Sequence, residues 1–380
     1  MNSMQDLDRY GQLLVEAERI QGVSLARDAW RRLRRNHTAM ASLTFLSVLS
    51  LLALVTPLLP LQSPYAVNTN SSFSAPTSWP LFIESPGLGR DRSELAQGSS
   101  DWIGKQFGDI NGFNRALVKL RVSVLGPWSL NSILGRDELG RDLLARLFWG
   151  ARVSLLVGLV ATLVSLVIGV SYGAIAGYVG GRVDNLMMRI VDVLYSIPFI
   201  FVVIFLVTIL SEDTVKVHML GNRSLKEWLE AHGIDRITIF FFVVGAIYWL
   251  TMARIVRGQV ISLKHEQFIE SARTIGAGRL RIIFRHLVPN VISVVIVYLT
   301  LTIPQVMLFE AFLSFLGLGV QAPAVSWGLL ANQGFRVISP IKIYWWLFVF
   351  PSLALGLTLF ALNFLGDGLR DALDPRLKNK

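Results

Sequence analysis

Six long apolar runs limit what this chain can fold into. They span approximately Thr38–Leu59, Val153–Tyr178, Ile190–Leu210, Ile237–Val256, Val291–Phe312 and Tyr344–Leu365. Each is close to the roughly 20 residues that an α-helix needs to cross a bilayer. A crossing segment must pair its own backbone polar groups, so the runs read as helices and the chain as an all-α membrane protein. Composition agrees. Charged residues make up 16% of the chain, whereas a soluble domain carries about 25%. The first 23 residues are polar and the first apolar run is too long for a signal sequence, so that run is expected to stay as an anchor.

The net charge is +10, from 36 Lys and Arg against 26 Asp and Glu. A basic chain can be a nucleic-acid binder, but here the basic residues cluster beside the apolar runs, and no nucleic acid is expected. With the N-terminus inside, the N-tail (Arg27, Arg31, Arg32, Arg34, Arg35), the loop after the fourth run (Arg254, Arg257, Lys264, Arg273, Arg279, Arg281, Arg285) and the C-tail (Arg370, Arg376, Lys378, Lys380) all fall on the cytoplasmic side. That is the positive-inside pattern, and it places both termini in the cytoplasm. The implied organisation is an N-tail (1–37), a first transmembrane helix (38–61), an external loop or subdomain (62–150), a core of five helices (151–366) and a C-tail (367–380). Ser24–Asn36 can form an amphipathic helix with Ala26, Trp30 and Leu33 on one side and arginines around them. Such a helix would lie at the inner interface, near anionic lipid headgroups. A simple orienting charge cluster reads the same residues equally well.

Several chemistries are absent. There is no cysteine, which removes disulfides, thiolate metal sites and cysteine nucleophiles. His265-Glu266 starts like a zinc-protease motif, but Ile269 stands where the second histidine would be. No Gly-x-x-x-x-Gly-Lys-[Ser/Thr] phosphate loop, Gly-x-Ser-x-Gly nucleophile or metal-ligand cluster occurs. No catalytic residue, cofactor or metal is expected on this chain, and ATP hydrolysis would fall to other subunits.

Other features bear on a pathway. Gly169, Gly173, Gly177 and Gly181 recur every four residues and would stack on one helix face, for static packing or for sliding. Pro198 and Pro304 favour kinks. Glu310 is costly in an apolar run unless solvated, paired or facing a cavity. Pro304, Glu310 and Ser314 are therefore the pathway candidates, with an interfacial helix end as the alternative for Glu310. Ala311–Ala331 is interrupted by Gly317, Gly319, Pro323 and Gly328 and reads as a re-entrant or rim element.

The loop Val256–Pro289 carries the sharpest signal. Ser262–Ile275 reads as a helix that Gly276 and Gly278 end. This leaves Glu266, Gln267, Glu270, Arg273 and Thr274 for a docking surface. The run Glu270-Ser-Ala-Arg-Thr-Ile-Gly276, with His286-Leu-Val-Pro289 after it, resembles the EAA loop of ABC-transporter permeases. Further stretches resemble one subfamily, the C-type permeases of bacterial oligopeptide ABC importers in the peptide/nickel permease group. They are Leu134-Gly-Arg-Asp-Glu-Leu-Gly-Arg-Asp142, Gly177-Tyr-Val-Gly-Gly-Arg-Val-Asp184, Met252-Ala-Arg-Ile-Val-Arg-Gly-Gln259, Phe309–Gly319 and Gly366–Pro375. The match departs at Ser271, His286 and Val288, and the external stretches are long.

The resemblance implies a six-helix importer permease bundle in the bacterial inner membrane. It implies a cytoplasmic EAA loop over 257–290, with Glu266, Glu270, Ala272, Arg273 and Gly276 as the ATPase-coupling residues. The partners it implies are a second homologous permease, two cytoplasmic ABC ATPases and an external peptide-binding protein. Dipeptides, nickel chelates or other peptide-like solutes are alternative cargoes. A membrane scaffold or sensor that moves nothing is the alternative of another class.

Overall fold

The computed structural model describes residues 25–77, 79–84, 102–108, 110–126, 128–211 and 236–373. The N-tail before 25, the loop at 212–235, and the tail after 373 lie outside the described residues.

Helix α1 (Leu25–Arg35) leads into α2 (His37–Leu54), whose N-cap Asn36 accepts the Ala39 amide at 3.1 Å. The side chain of Leu33 is buried with Ala39 and Ala372, so α1 packs on the chain's last helix, while Trp30 stays 46% exposed. The described residues between 62 and 142 carry regular elements and a small core of their own. Strands β1 (Phe82–Glu84) and β2 (Trp128–Leu130) pair antiparallel, with Phe82 opposite Leu130. Between them lie α3 (Trp102–Phe107) and α4 (Gly112–Leu125), and Ile103, Phe107, Ile110, Val118 and Trp149 form that core.

Helix α5 (Leu143–Val179) begins well before the expected Val153, because Asp142 caps it by accepting the Ala145 amide at 2.9 Å. It ends at Gly180, and α6 (Gly181–Ser196) starts at once. Gly181 is therefore not part of the glycine face on α5; it sits in the turn at φ 59°. The third crossing starts before the expected Ile190–Leu210 run, and the kink expected at Pro198 is a full break. It consists of α6 and α7 (Phe199–Ser211), bent by 83° at a break that holds Pro198. Proline cannot donate the bond that would carry the helix through.

Helix α8 (Arg236–Leu263) is followed by a turn and the short α9 (Gln267–Thr274), so the expected Ser262–Ile275 helix is two pieces. α10 (Arg279–Phe315) opens with a π-helical turn over Ile282–Leu287. Pro289 lies just beyond it and lacks an amide donor, and the Asn290 side chain reaches back to the His286 carbonyl at 2.6 Å. α11 (Trp327–Arg336) is a short helix packed on α10 and α12 (Trp345–Leu373), which agrees with the interrupted character of Ala311–Ala331. Among the described residues, five helices are long and apolar enough to cross a membrane, and the bent α6–α7 pair, counted as one span, makes six.

α5 and α8 pack most closely. A Cβ on Gly169 would stand 2.8 Å from the Trp249 carbonyl oxygen, and one on Gly177 would stand 2.8 Å from that of Arg257. Gly245 answers from α8, where a Cβ would sit 3.0 Å from the Ala161 backbone. The glycines thus let two backbones run side by side.

Candidate partner-docking site

α9 is held from behind by two side chains three residues apart. Ile269 and Ala272 are buried among Val256, Val260, Ile282 and Leu287 from α8 and α10. Everything else on the helix faces out: Glu266, Gln267, Glu270, Ser271, Arg273 and Thr274 are exposed. This arrangement separates the sequence-derived coupling residues. Ala272 turns inward and seats the helix, whereas Glu266, Glu270 and Arg273 present charge outward. The Arg273 guanidinium lies 5.3 Å over the Tyr178 ring at the end of α5. Two hydroxyls close on their own backbone, Ser271 to the Gln267 carbonyl and Thr274 to that of Glu270, both at 2.9 Å.

The helix stops by a Schellman turn. The Gly276 amide donates to Arg273 O at 2.9 Å and the Ala277 amide to Ala272 O at 3.0 Å. Gly276 has φ 86°, the left-handed conformation that this turn requires. Ala277 packs back with Ala272 in the same cluster, which is the apolar contact that usually accompanies the motif. Beyond it, an open groove of about 440 Å³ is lined by Ala272, Ile275, Ala277, Arg281, Arg285 and His286. Ile275 is 86% exposed at its edge, with Leu280 at 68% and Phe284 at 47%. An acidic and basic helix beside a cationic groove with apolar rims can bind a folded partner of mixed charge.

Two contacts anchor this end of the bundle. The Arg257 guanidinium grips Asp184 with both oxygens, at 2.5 and 2.7 Å, tying α8 to the first turn of α6. Lys264 Nζ reaches the Gly177 carbonyl at 3.4 Å. At the opposite end, Asp137 accepts four hydrogen bonds: from the amides of Leu139 and Arg141, from Arg141 Nε at 2.7 Å and from Arg146 Nη1 at 2.5 Å. The sequence reading did not assign Asp184 or Asp137 a role; the alternating Asp and Arg of 136–142 was the one local sign of the second.

The pathway candidates Pro304, Glu310 and Ser314 are buried inside the chain. Glu310 and Ser314 are brought together, the hydroxyl donating to Glu310 Oε1 at 2.7 Å. The same hydroxyl accepts the Val320 amide at 3.1 Å, and Asn332 donates to the Ser314 and Phe315 carbonyls. This pairing at the α10–α11 junction engages one oxygen of the acid, while Glu310 Oε2 is buried without a hydrogen-bond partner among the described residues. Among the described residues, no group of three or more His, Asp or Glu could hold a metal ion.

Comparison with known proteins places this geometry. Residues 169–379 match the family model of the binding-protein-dependent transport system inner membrane component, and residues 24–76 match that of the N-terminal TM domain of oligopeptide transport permease C. The oligopeptide transport system permease protein OppC of Escherichia coli strain K12 is 40% identical over 94% of this chain and 93% of its own length. The dipeptide transport system permease protein DppC of Bacillus subtilis strain 168 is 37% identical over 96% of this chain and 90% of its own. A solved chain of the MetNI methionine ABC transporter in an inward-facing conformation aligns with a TM-score of 0.43 at 19% identity, covering 60% of this chain and 96% of that one. The family match spans more than half of the sequence, so the chain belongs to the binding-protein-dependent transport system inner membrane components and is a multi-pass permease of that family.

Proposed function

We propose that this chain is a transmembrane permease subunit of an ATP-driven importer that moves oligopeptides across the bacterial inner membrane by alternating access. Its partners are a second homologous permease, two cytoplasmic ABC ATPases and an external peptide-binding protein. Both termini are cytoplasmic, and the arginines of α1 lie against anionic lipid headgroups. The observation that carries the reading is α9, an eight-residue helix fixed to the bundle by Ile269 and Ala272 with Glu266, Glu270 and Arg273 exposed on its other face. A peg of that kind transmits motion from a soluble partner to α8 and α10, the two helices it is seated on. Relatives named for oligopeptide and dipeptide transport support peptides as the cargo, and the missing phosphate loop assigns ATP hydrolysis to the partners.

The test is ATP-dependent uptake of a labelled tripeptide by proteoliposomes carrying the whole complex. Replacing Glu270 and Gly276 is expected to uncouple or release the ATPases while membrane insertion is kept. Survival of both uptake and ATPase association in Glu270→Ala and Gly276→Ala would remove the docking assignment. A wild-type complex that takes up no peptide would remove the cargo assignment.

A further inference from the structure

The bend between α6 and α7 leaves Ser196, Ile197 and Pro198 on the surface of the chain. Its depth can be read from neighbours. The Tyr195 hydroxyl meets the Thr251 hydroxyl, and Thr251 lies five residues before Val256, where the fourth apolar run ends. That is about 8 Å of helix inside the inner edge of a hydrocarbon core some 30 Å thick. Beside it Arg254 Nη2 holds Asp192 Oδ1 at 2.6 Å, with the two side chains still 44% and 66% exposed. The same guanidinium sits 4.2 Å over the Tyr195 ring. On α10 the side chain of Gln305 is exposed too, and it is level with this cluster because the Tyr248 hydroxyl donates to its carbonyl at 3.3 Å.

Lipid cannot cover such a surface. Irregular backbone at membrane depth is tolerated only inside protein or along a water-filled cavity, and exposed ionic side chains follow the same rule. The outward face of α5 shows what a lipid-compatible surface looks like here: Leu156, Leu159, Leu163 and Val167, at 47%, 50%, 48% and 65% exposure, with no polar side chain among them.

We infer that the face built from the α6–α7 break, α8 and α10 lines an aqueous path, and that Asp192, Tyr195, Arg254 and Gln305 contact the peptide passing through it. The chemistry fits a zwitterionic chain. The Asp192–Arg254 pair offers an anion for a terminal ammonium and a cation for a carboxylate, and closes on itself when the path is empty. Gln305 and Tyr195 supply neutral donors and acceptors for backbone amides of any sequence. The peptide part of this inference rests on the function proposed above, but the aqueous face does not.

The chain has no cysteine, so single cysteines report cleanly. Thr251→Cys, Gln305→Cys and the lipid-face control Leu163→Cys would be made in the full complex in proteoliposomes. Each would be treated with a charged, membrane-impermeant thiol reagent, with and without the transported tripeptide. Thr251→Cys and Gln305→Cys are expected to react about tenfold faster than Leu163→Cys or more, because only a thiolate in water is nucleophilic, and the peptide should slow both. Equally slow labelling at all three positions overturns the aqueous face. Fast labelling that the peptide does not alter overturns the contact. Arg254→Gln is expected to lower uptake about tenfold, the loss of one charge-assisted hydrogen bond, with ATPase association unchanged. Unaltered uptake removes Arg254 from the peptide's contacts. Fast labelling of Thr251→Cys and Gln305→Cys, beside a wild-type complex that moves no peptide, would sink the function proposed above and leave the aqueous face standing.

Discussion

At the start of α5, buried charge ties the backbone down, whereas α9, at the far end of the same bundle, is seated by two apolar side chains and a glycine turn. Around the first site Asp137 collects Arg141 and Arg146, and Arg146 passes on to Gln333 on α11 at 2.9 Å. Arg136 reaches the Gly140 carbonyl and Gln62, and Trp346 of α12 donates to the Arg136 carbonyl at 3.4 Å. Three helices and the outer subdomain are thereby locked in one register. Among the described residues no ion pair fixes α9; its charges point outward. A buried network of charge-assisted hydrogen bonds rigidifies its surroundings, while a lightly seated helix with solvated charges can exchange partners. Under the topology proposed above, the two ends suit opposite tasks, a fixed outer frame and an inner handle.

The sharpest way to break that contrast is Asp137→Ala. It leaves the Arg146 guanidinium, 2% exposed, without its anion, a loss of about 3–5 kcal/mol. The expected result is poor accumulation in the membrane and early thermal unfolding in detergent. A variant as stable as wild type would mean that the outer frame does not depend on this hub.

Asp142, in the same frame, supplies a pH test. Burial, partly offset by the Ala145 amide and Arg136, pushes its carboxyl up to about 6. A raised acid favours the folded state below the unfolded value near 3.9, and that contribution is lost as pH rises to about 6. Stability should therefore fall across that window, by on the order of 3 kcal/mol, and level off above it. Asp142→Asn keeps an acceptor for the Ala145 amide and cannot titrate, so its thermal-unfolding curve should be flatter between pH 4 and 6. Parallel curves for both proteins would assign the dependence to another group.

Much of the membrane-embedded part was legible beforehand, because crossing lipid demands long apolar helices and little else satisfies that pattern. Gly276 was also legible, since a glycine after a short helical run is the usual answer to a left-handed turn. The break at 264–266 was not: no Gly or Pro marks it, and it exists because Ile269 and Ala272 must turn back into the α8–α10 cleft. Nor were the long-range polar contacts. Arg146 finds Gln333 across 187 residues of sequence, and Arg257 finds Asp184 across 73. Only the fold brings such partners together. Glu310 shows a mixed case: Ser314, its partner one turn on, was visible, but the complete burial of both was not.

Gly173 tests whether the inner half of the bundle has slack. A Cβ there would stand 3.0 Å from the Ala253 carbonyl carbon and 3.0 Å from the Arg257 amide nitrogen. Gly173→Val must part α5 from α8, at a cost of about 1–3 kcal/mol. The displaced Arg257 should also loosen its grip on Asp184. Lower thermal stability with faster proteolysis near α6 is the expected outcome. A neutral result would show that α5 and α8 slide rather than lock.

Gly276→Ala gives the smallest effect and bears most directly on the handle. No atom lies within 4 Å of a Cβ at this position, so the substitution meets strain alone, from φ 86°. An L-residue held there costs about 1–2 kcal/mol. That cost falls on the last turn of α9, while the bundle, which draws only Ile269 and Ala272 from this helix, keeps its melting temperature. Capture of the ATPases from mild detergent should weaken several-fold. Gly276→Asn, which tolerates the left-handed region better, should recover part of the loss. Equal ATPase capture by wild type and both variants would mean that the partner does not read the rigidity of this turn. A drop in melting temperature as large as that of Asp137→Ala would mean that the inner end is built like the outer one.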